Sequence, residues 1–162
     1  NIIDWHLLLL ITNNSDGLLK NFYLYRQNNS SLLKISPWDY DHSFGRDGDN
    51  ELNMDLKKID IKRSILFERL LRYNWYKIKL KEKWNKLNNK HILTPEALKS
   101  NLSNQYQKIH ELIEKNNQLW CIESHWYYDA NNVESEISIM HQFIDLRHAE
   151  LEKYFNTITT PH

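Results

Sequence analysis

The chain is expected to fold as an α+β domain, predominantly helical, with one small β-hairpin. Three observations predict this. Glycine and proline total only six of 162 residues, while 20 are aromatic, a balance that suits an ordered helical body. Apolar residues in the second half recur at spacings of three and four. In the first half, two short strand-like segments flank a polar turn, and no βαβ alternation comes after them.

Asn1 to Ile11 is strongly apolar and reads as a buried helix; Asn13 to Gly17 is then a cluster of turn residues. Asn21–Tyr25 alternates and is aromatic-rich, Gln27–Ser31 is polar, and Leu32–Ser36 is a second strand closed by Pro37. Trp38 to Leu56 reads as irregular, with Gly45, Gly48 and several aspartates. A helix over Arg63–Tyr73 places Leu66, Leu70 and Tyr73 on one face, and Asn74–Leu87 continues as another helix. Thr94-Pro95-Glu96 is a helix start: a cap, a proline at the first position, then an acid. The helix it opens carries Leu98, Leu102, Ile109 and Ile113 as a core stripe. The last helix, Val133 to Phe155, carries Val133, Ile137, Met140, Ile144, Leu151 and Tyr154, a stripe that only Arg147 interrupts.

Composition narrows the function classes. The 21 basic and 21 acidic residues balance, and no long basic run marks a nucleic-acid binder. Lys77, Lys79, Lys81 and Lys83, broken by Glu82, read as the solvated side of a helix. Cys121 is the only cysteine, which excludes an intrachain disulfide and a cysteine-based zinc site. The longest apolar run, Leu7–Ile11, is too short for a membrane span. His141 and His148 sit a heptad apart without a partner at i+4 and read as surface or core-edge residues. Trp120, Trp126, Tyr127 and Tyr128 read as an aromatic packing cluster.

Chemistry concentrates at the two ends of the hairpin. Asn14-Ser15-Asp16-Gly17-Leu18-Leu19-Lys20-Asn21 precedes the first strand, and Pro37-Trp38-Asp39-Tyr40-Asp41-His42-Ser43-Phe44-Gly45 comes after the second. A hairpin brings its ends together, so Asp16, Asn21, Asp39 and Asp41 are expected to converge. Phosphoryl transfer from ATP needs such a set, because magnesium takes oxygen ligands and one or two carboxylates beside the nucleotide's phosphates hold it. Protein kinases place a catalytic-loop Asp, an Asn five residues later, and a second metal-binding Asp after a hairpin. Asp16 to Asn21 has that interval, and Asp39 lies just beyond the hairpin. A calcium loop is the rival: Asp39, Asp41, Ser43 and Asp47 fall at positions one, three, five and nine of an EF-hand count. That count then puts Phe44 where glycine belongs and Asn50 where glutamate belongs.

Through Asn14-x-Asp16, Lys20-Asn21-Phe22-Tyr23-Leu24-Tyr25 and Pro37-Trp38-Asp39-Tyr40-Asp41-x-Ser43-Phe44-Gly45, the sequence resembles the CotH (spore coat protein H) kinase family over roughly its first 45 residues. The resemblance implies the C-terminal lobe of an atypical protein-kinase-like fold, transferring phosphate from ATP, with Mg2+ or Mn2+, to serine of partner proteins such as spore coat proteins. It implies Asp16 as the catalytic residue, Asn21 as a metal ligand, and Asp39 as the metal-binding Asp, with Asp41 an alternative or a partner in that role. Residues 1–58 would hold the catalytic loop, hairpin and metal loop, and 59–162 a helical subdomain. The departures are also plain: no His-Arg precedes Asp16, and no glycine precedes it to build a phosphate loop. The ATP-gripping N-lobe is therefore expected to be absent from this chain, which alone should transfer little phosphate. A spore coat or mother-cell location would apply in a spore-forming bacterium. The alternative is a non-catalytic CotH-like binding module or coat component.

Overall fold

The computed structural model describes residues 1–46, 64–120 and 133–159. Its elements run α1 (Ile2–Thr12), α2 (Ser15–Leu19), β1 (Phe22–Tyr25), β2 (Lys34–Pro37), α3 (Ile65–Leu70), α4 (Asn74–Asn89), α5 (Pro95–Leu119) and α6 (Val133–Asn156). Among the described residues, helices hold 67% beside one two-stranded antiparallel sheet, which is the expected helical α+β class.

Helix α1 is the centre. Seven of its eleven residues are buried, on all sides of the helix, as expected of a helix that is apolar all round. One side joins Leu7, Leu10 and Ile11 to Leu80 and Trp84 of α4, and to Leu151, Phe155 and Ile158 at the end of the chain. The other joins Trp5 and Leu9 to Leu18 of α2 and Phe67 of α3. Within the first cluster Trp84 stacks on Phe155, ring centroids 5.0 Å apart, and donates its indole N–H to Glu152 at 2.8 Å. Burying a side chain of that size and satisfying its one donor contributes several kcal/mol, roughly what truncation of a core Trp costs. His6 is also buried. It shares a 2.9 Å hydrogen bond with the Tyr76 hydroxyl, and desolvation pushes its pKa down to about 4.

Several expectations are met and several corrected. Helix α5 starts where Thr94 caps Ala97 N–H and Pro95 occupies the first turn. Helices α4 and α6 fall within two residues of their expected ends. The hairpin's second strand is displaced: it spans Lys34–Pro37, with Phe22 opposite Pro37 and Tyr25 opposite Lys34, so Leu32 and Leu33 belong to the loop. That loop is longer because Asn28 organises its own turn, taking Ser30 N–H on its side chain and Ser31 N–H and Oγ–H on its carbonyl. Pro37 ends the strand from within, on a two-stranded sheet where every strand is an edge.

Helix α3 is short, and Phe67 is its buried residue; Leu66 and Tyr73 are exposed, against the expected face. Leu70, also on the expected face, packs half-buried against the same cluster as Phe67. The α5 stripe is met in part: Leu98 packs on the core, Leu102 and Ile113 are half-buried, and Ile109 is exposed. Arg147 does not break the α6 stripe but lies buried within it. The lysines expected on one solvated side of α4 disperse: Lys79 pairs with Glu82, Lys83 with Asp4, and Lys81 donates to Ile158 O. His148 edges the core beside Trp84 and bonds Asn88 at 2.8 Å; His141 faces Ser103. Trp120 is exposed, while Cys121, Trp126, Tyr127 and Tyr128 lie outside the described residues. No described helix is long and apolar enough to cross a membrane.

Candidate functional site

The site begins at the C-terminus of α1, whose last carbonyls have no partner inside the helix. The carbonyls of its last turns are met by local groups and by distant ones. Leu8 O accepts from the Thr12 hydroxyl at 2.8 Å, and Leu9 O from Asn13 N–H at 2.9 Å, with Asn13 in the left-handed conformation that ends many helices. Leu10 O accepts from the buried Arg147 guanidinium, and Thr12 O from Phe44 N–H at 2.9 Å. Burial lowers the Arg147 pKa to about 10, which leaves it a cation at neutral pH. A cation at this end of a helix is also favoured by the helix dipole. The chain therefore leaves α1 in a direction fixed by α6 and by the loop after the hairpin.

A cap and a short helix come next, where a turn was expected. Asn14 is fully buried and its side-chain oxygen accepts from Gly17 N–H at 2.5 Å, the work of an N-cap. Asp16 falls in the first turn of α2. Its carbonyl accepts from both Lys20 N–H and Asn21 N–H at 2.9 Å, and its carboxylate lies 3.0 Å from Lys20 Nζ. The carboxylate is about a quarter exposed, so it is reachable from solvent.

Asn21 ties the two ends of the hairpin together. Its N–H donates to Asp16, its carbonyl accepts from Trp38 N–H at 3.0 Å, and its side-chain Nδ2 donates to Asp39 O at 2.9 Å. With the amide nitrogen so engaged, the carboxamide oxygen is the end turned away from Asp39's backbone. Asp39 itself has φ 55°, a left-handed backbone that a residue with a Cβ rarely adopts. Its carboxylate is exposed and makes no hydrogen bond or ion pair among the described residues. Strain of this kind gathers at functional sites. Asp41 is also exposed, but its carboxylate takes His42 N–H at 2.9 Å and lies 3.3 Å from His42 Nε2.

Of the four residues expected to converge, Asp16, Asn21 and Asp39 are thus linked by direct hydrogen bonds, and Asp41 stands two residues on with its carboxylate engaged by His42. Among the described residues, no three His, Cys, Asp or Glu side chains are grouped to hold a metal by themselves. The donor set nonetheless suits magnesium: one unpaired carboxylate beside a carboxamide oxygen, with phosphates and water to complete the shell. Asp47 and Asn50, which the calcium-loop count needs, lie outside the described residues.

Sequence reasoning missed Arg147 as an anchor, since a charged residue in an apolar stripe reads as an interruption. It also passed over Tyr40, whose ring reaches Gly17 beside Asp16. No local pattern reports either contact.

The profile of the CotH kinase protein family matches residues 1–151. A 43-residue segment is 42% identical to inner spore coat protein H of Bacillus subtilis (strain 168); it covers 26% of this chain and 12% of that relative. With the profile spanning nearly all of its length, the chain belongs to the CotH kinase protein family.

Proposed function

We propose that this chain supplies the acceptor-orienting and metal-binding half of a phosphotransfer site that moves the γ-phosphate of ATP to serine of a partner protein. The observation that carries the reading is Asn21, whose backbone and side chain bond Asp16 and Asp39 at once. In this reading Asp16 orients the serine hydroxyl and takes its proton as the serine oxygen bonds the γ-phosphorus and the bond to ADP breaks. Lys20, paired with Asp16, keeps a positive charge beside the developing negative one. Asn21 Oδ1 and the Asp39 carboxylate would hold the metal, and Asp41 would join them if it released His42. Magnesium bound with ATP offsets charge on the phosphate oxygens.

Spore coat proteins are the proposed acceptors, and the spore coat or mother cell the proposed location, because the relative from B. subtilis is an inner spore coat protein. Metal binding tests the site. Manganese or magnesium should bind in the presence of ATP and be lost in Asp39→Ala; binding unchanged in that variant would remove Asp39 from the site. A non-catalytic coat module is the second reading, favoured by the relative's name, which states a place in the spore coat and no activity. It predicts a well-folded full-length protein that transfers no phosphate.

A further inference from the structure

Gly17 occupies a place where glycine needs a reason. It lies inside α2, without a positive φ. Alanine favours a helix there, and no turn demands a missing Cβ. The reason is space. A Cβ on Gly17 would stand 2.6 Å from Tyr40 Oη, 2.8 Å from Tyr40 Cζ and 3.0 Å from Leu9 Cδ2. The end of the Tyr40 ring therefore rests on the backbone of α2.

The other end of Tyr40 is held as firmly. Its carbonyl accepts from the Ser43 hydroxyl at 2.6 Å, and its ring packs against the cluster of Trp5, Leu9, Leu18 and Phe67. Its hydroxyl is buried beside the Trp5 indole. The contact also has a telling position. Gly17 stands directly after Asp16, and Tyr40 directly after Asp39.

We infer that Tyr40 is a positioning residue, a spacer whose ring, seated on Gly17, sets the separation of Asp16 from Asp39. The inference rests on the phosphotransfer reading above and deepens it. The Asn21 hydrogen bond draws the two segments together; the Tyr40 ring stops them from approaching further. Two opposed contacts define a distance where one would only limit it, and reacting groups need such definition to within fractions of an ångström.

The test is the magnesium dependence of phosphate transfer by the full-length protein, with melting temperature recorded for each variant. Gly17→Ala should lower the rate at least ten-fold at limiting magnesium and raise the half-saturating concentration several-fold. Adding Tyr40→Leu, which removes the ring end (Cζ and Oη) that the new methyl meets, should recover most of both. A role in stability alone would lower melting temperature and leave the half-saturating concentration where it was. Should Gly17→Ala fail to fold, Tyr40→Ala carries the test by opening the space instead of filling it, and should raise half-saturation likewise. Wild-type magnesium dependence in either single variant, or no recovery in a folded Gly17→Ala/Tyr40→Leu protein, would overturn the spacer while leaving the phosphotransfer reading in place. Absence of transfer by the wild-type protein would overturn both.

Discussion

The base of the molecule and its hairpin are built by different means. At the base, α1 is enclosed by α4, α6 and α3, and its large side chains Trp5, Leu7 and Leu9 are all but invisible to solvent. On the hairpin, Tyr23, Leu24 and Tyr25 of β1 and Leu32 and Leu33 of the loop are exposed; ladder bonding and the Asn21 and Asn28 networks hold it. The candidate site lies at the seam. Asp16 hangs from the end of α1, and Asp39 from the end of β2. Stability and chemistry should therefore be separable: mutations at the base unfold the chain, and substitutions of the solvent-reaching carboxylates at the seam, Asp16 and Asp39, leave it folded.

Substitutions at the base should show the largest effect. Trp84→Ala removes the ring stacked on Phe155 and the donor to Glu152, and should cost about 3–5 kcal/mol in urea unfolding. A loss under about 1 kcal/mol would mean that α1, α4 and α6 do not form the base.

Acid should attack the same region next. His6 has a folded pKa near 4, below its ordinary value, because burial disfavours its charged form. The unfolded chain then binds the extra proton between about pH 6.5 and 4, so folded stability is present above that window and lost as pH falls through it. Wild-type protein should lose about 2–3 kcal/mol more than His6→Gln between pH 7 and pH 4.5 in parallel urea titrations. Equal losses would show that His6 is not buried neutral against Tyr76.

The hairpin should give the smallest effect. Leu32 is 86% exposed, so Leu32→Ser should change unfolding free energy by no more than about 0.5 kcal/mol. A larger loss would show that something in the folded protein covers the loop.

Legibility in the residues alone divides along the same seam. Helix α1 was legible because its apolar run permits nothing but burial, and α5 because Thr94, Pro95 and Glu96 state where it starts. The stripe of α6 was legible too, except for Arg147, whose burial depends on the unpaired Leu10 carbonyl it meets across the fold. Asn14 read as a turn residue, since whether an Asn caps a helix or makes a turn depends on what packs over it. The hairpin slipped by two residues because Leu32 and Leu33 look like strand while Asn28 and Ser31 draw the turn outward. Far along α5, Ile109 kept to the periodicity and still faces solvent, since a stripe requires a partner and periodicity does not supply one. At the candidate site, the approach of Asp16, Asn21 and Asp39 to one another was legible because a hairpin brings its two ends together. The ring of Tyr40 on Gly17 was not, because a steric contact across 23 positions leaves no pattern.

The measurement that tests the account most directly is transfer of labelled phosphate from ATP to a serine-containing coat protein by the full-length protein. It should be made beside Asp16→Ala and Asp39→Ala, with unfolding curves for all three. Both substitutions should reduce transfer at least a hundred-fold while unfolding free energies stay within about 1 kcal/mol of wild type. Transfer that survives both substitutions in folded protein would contradict the account.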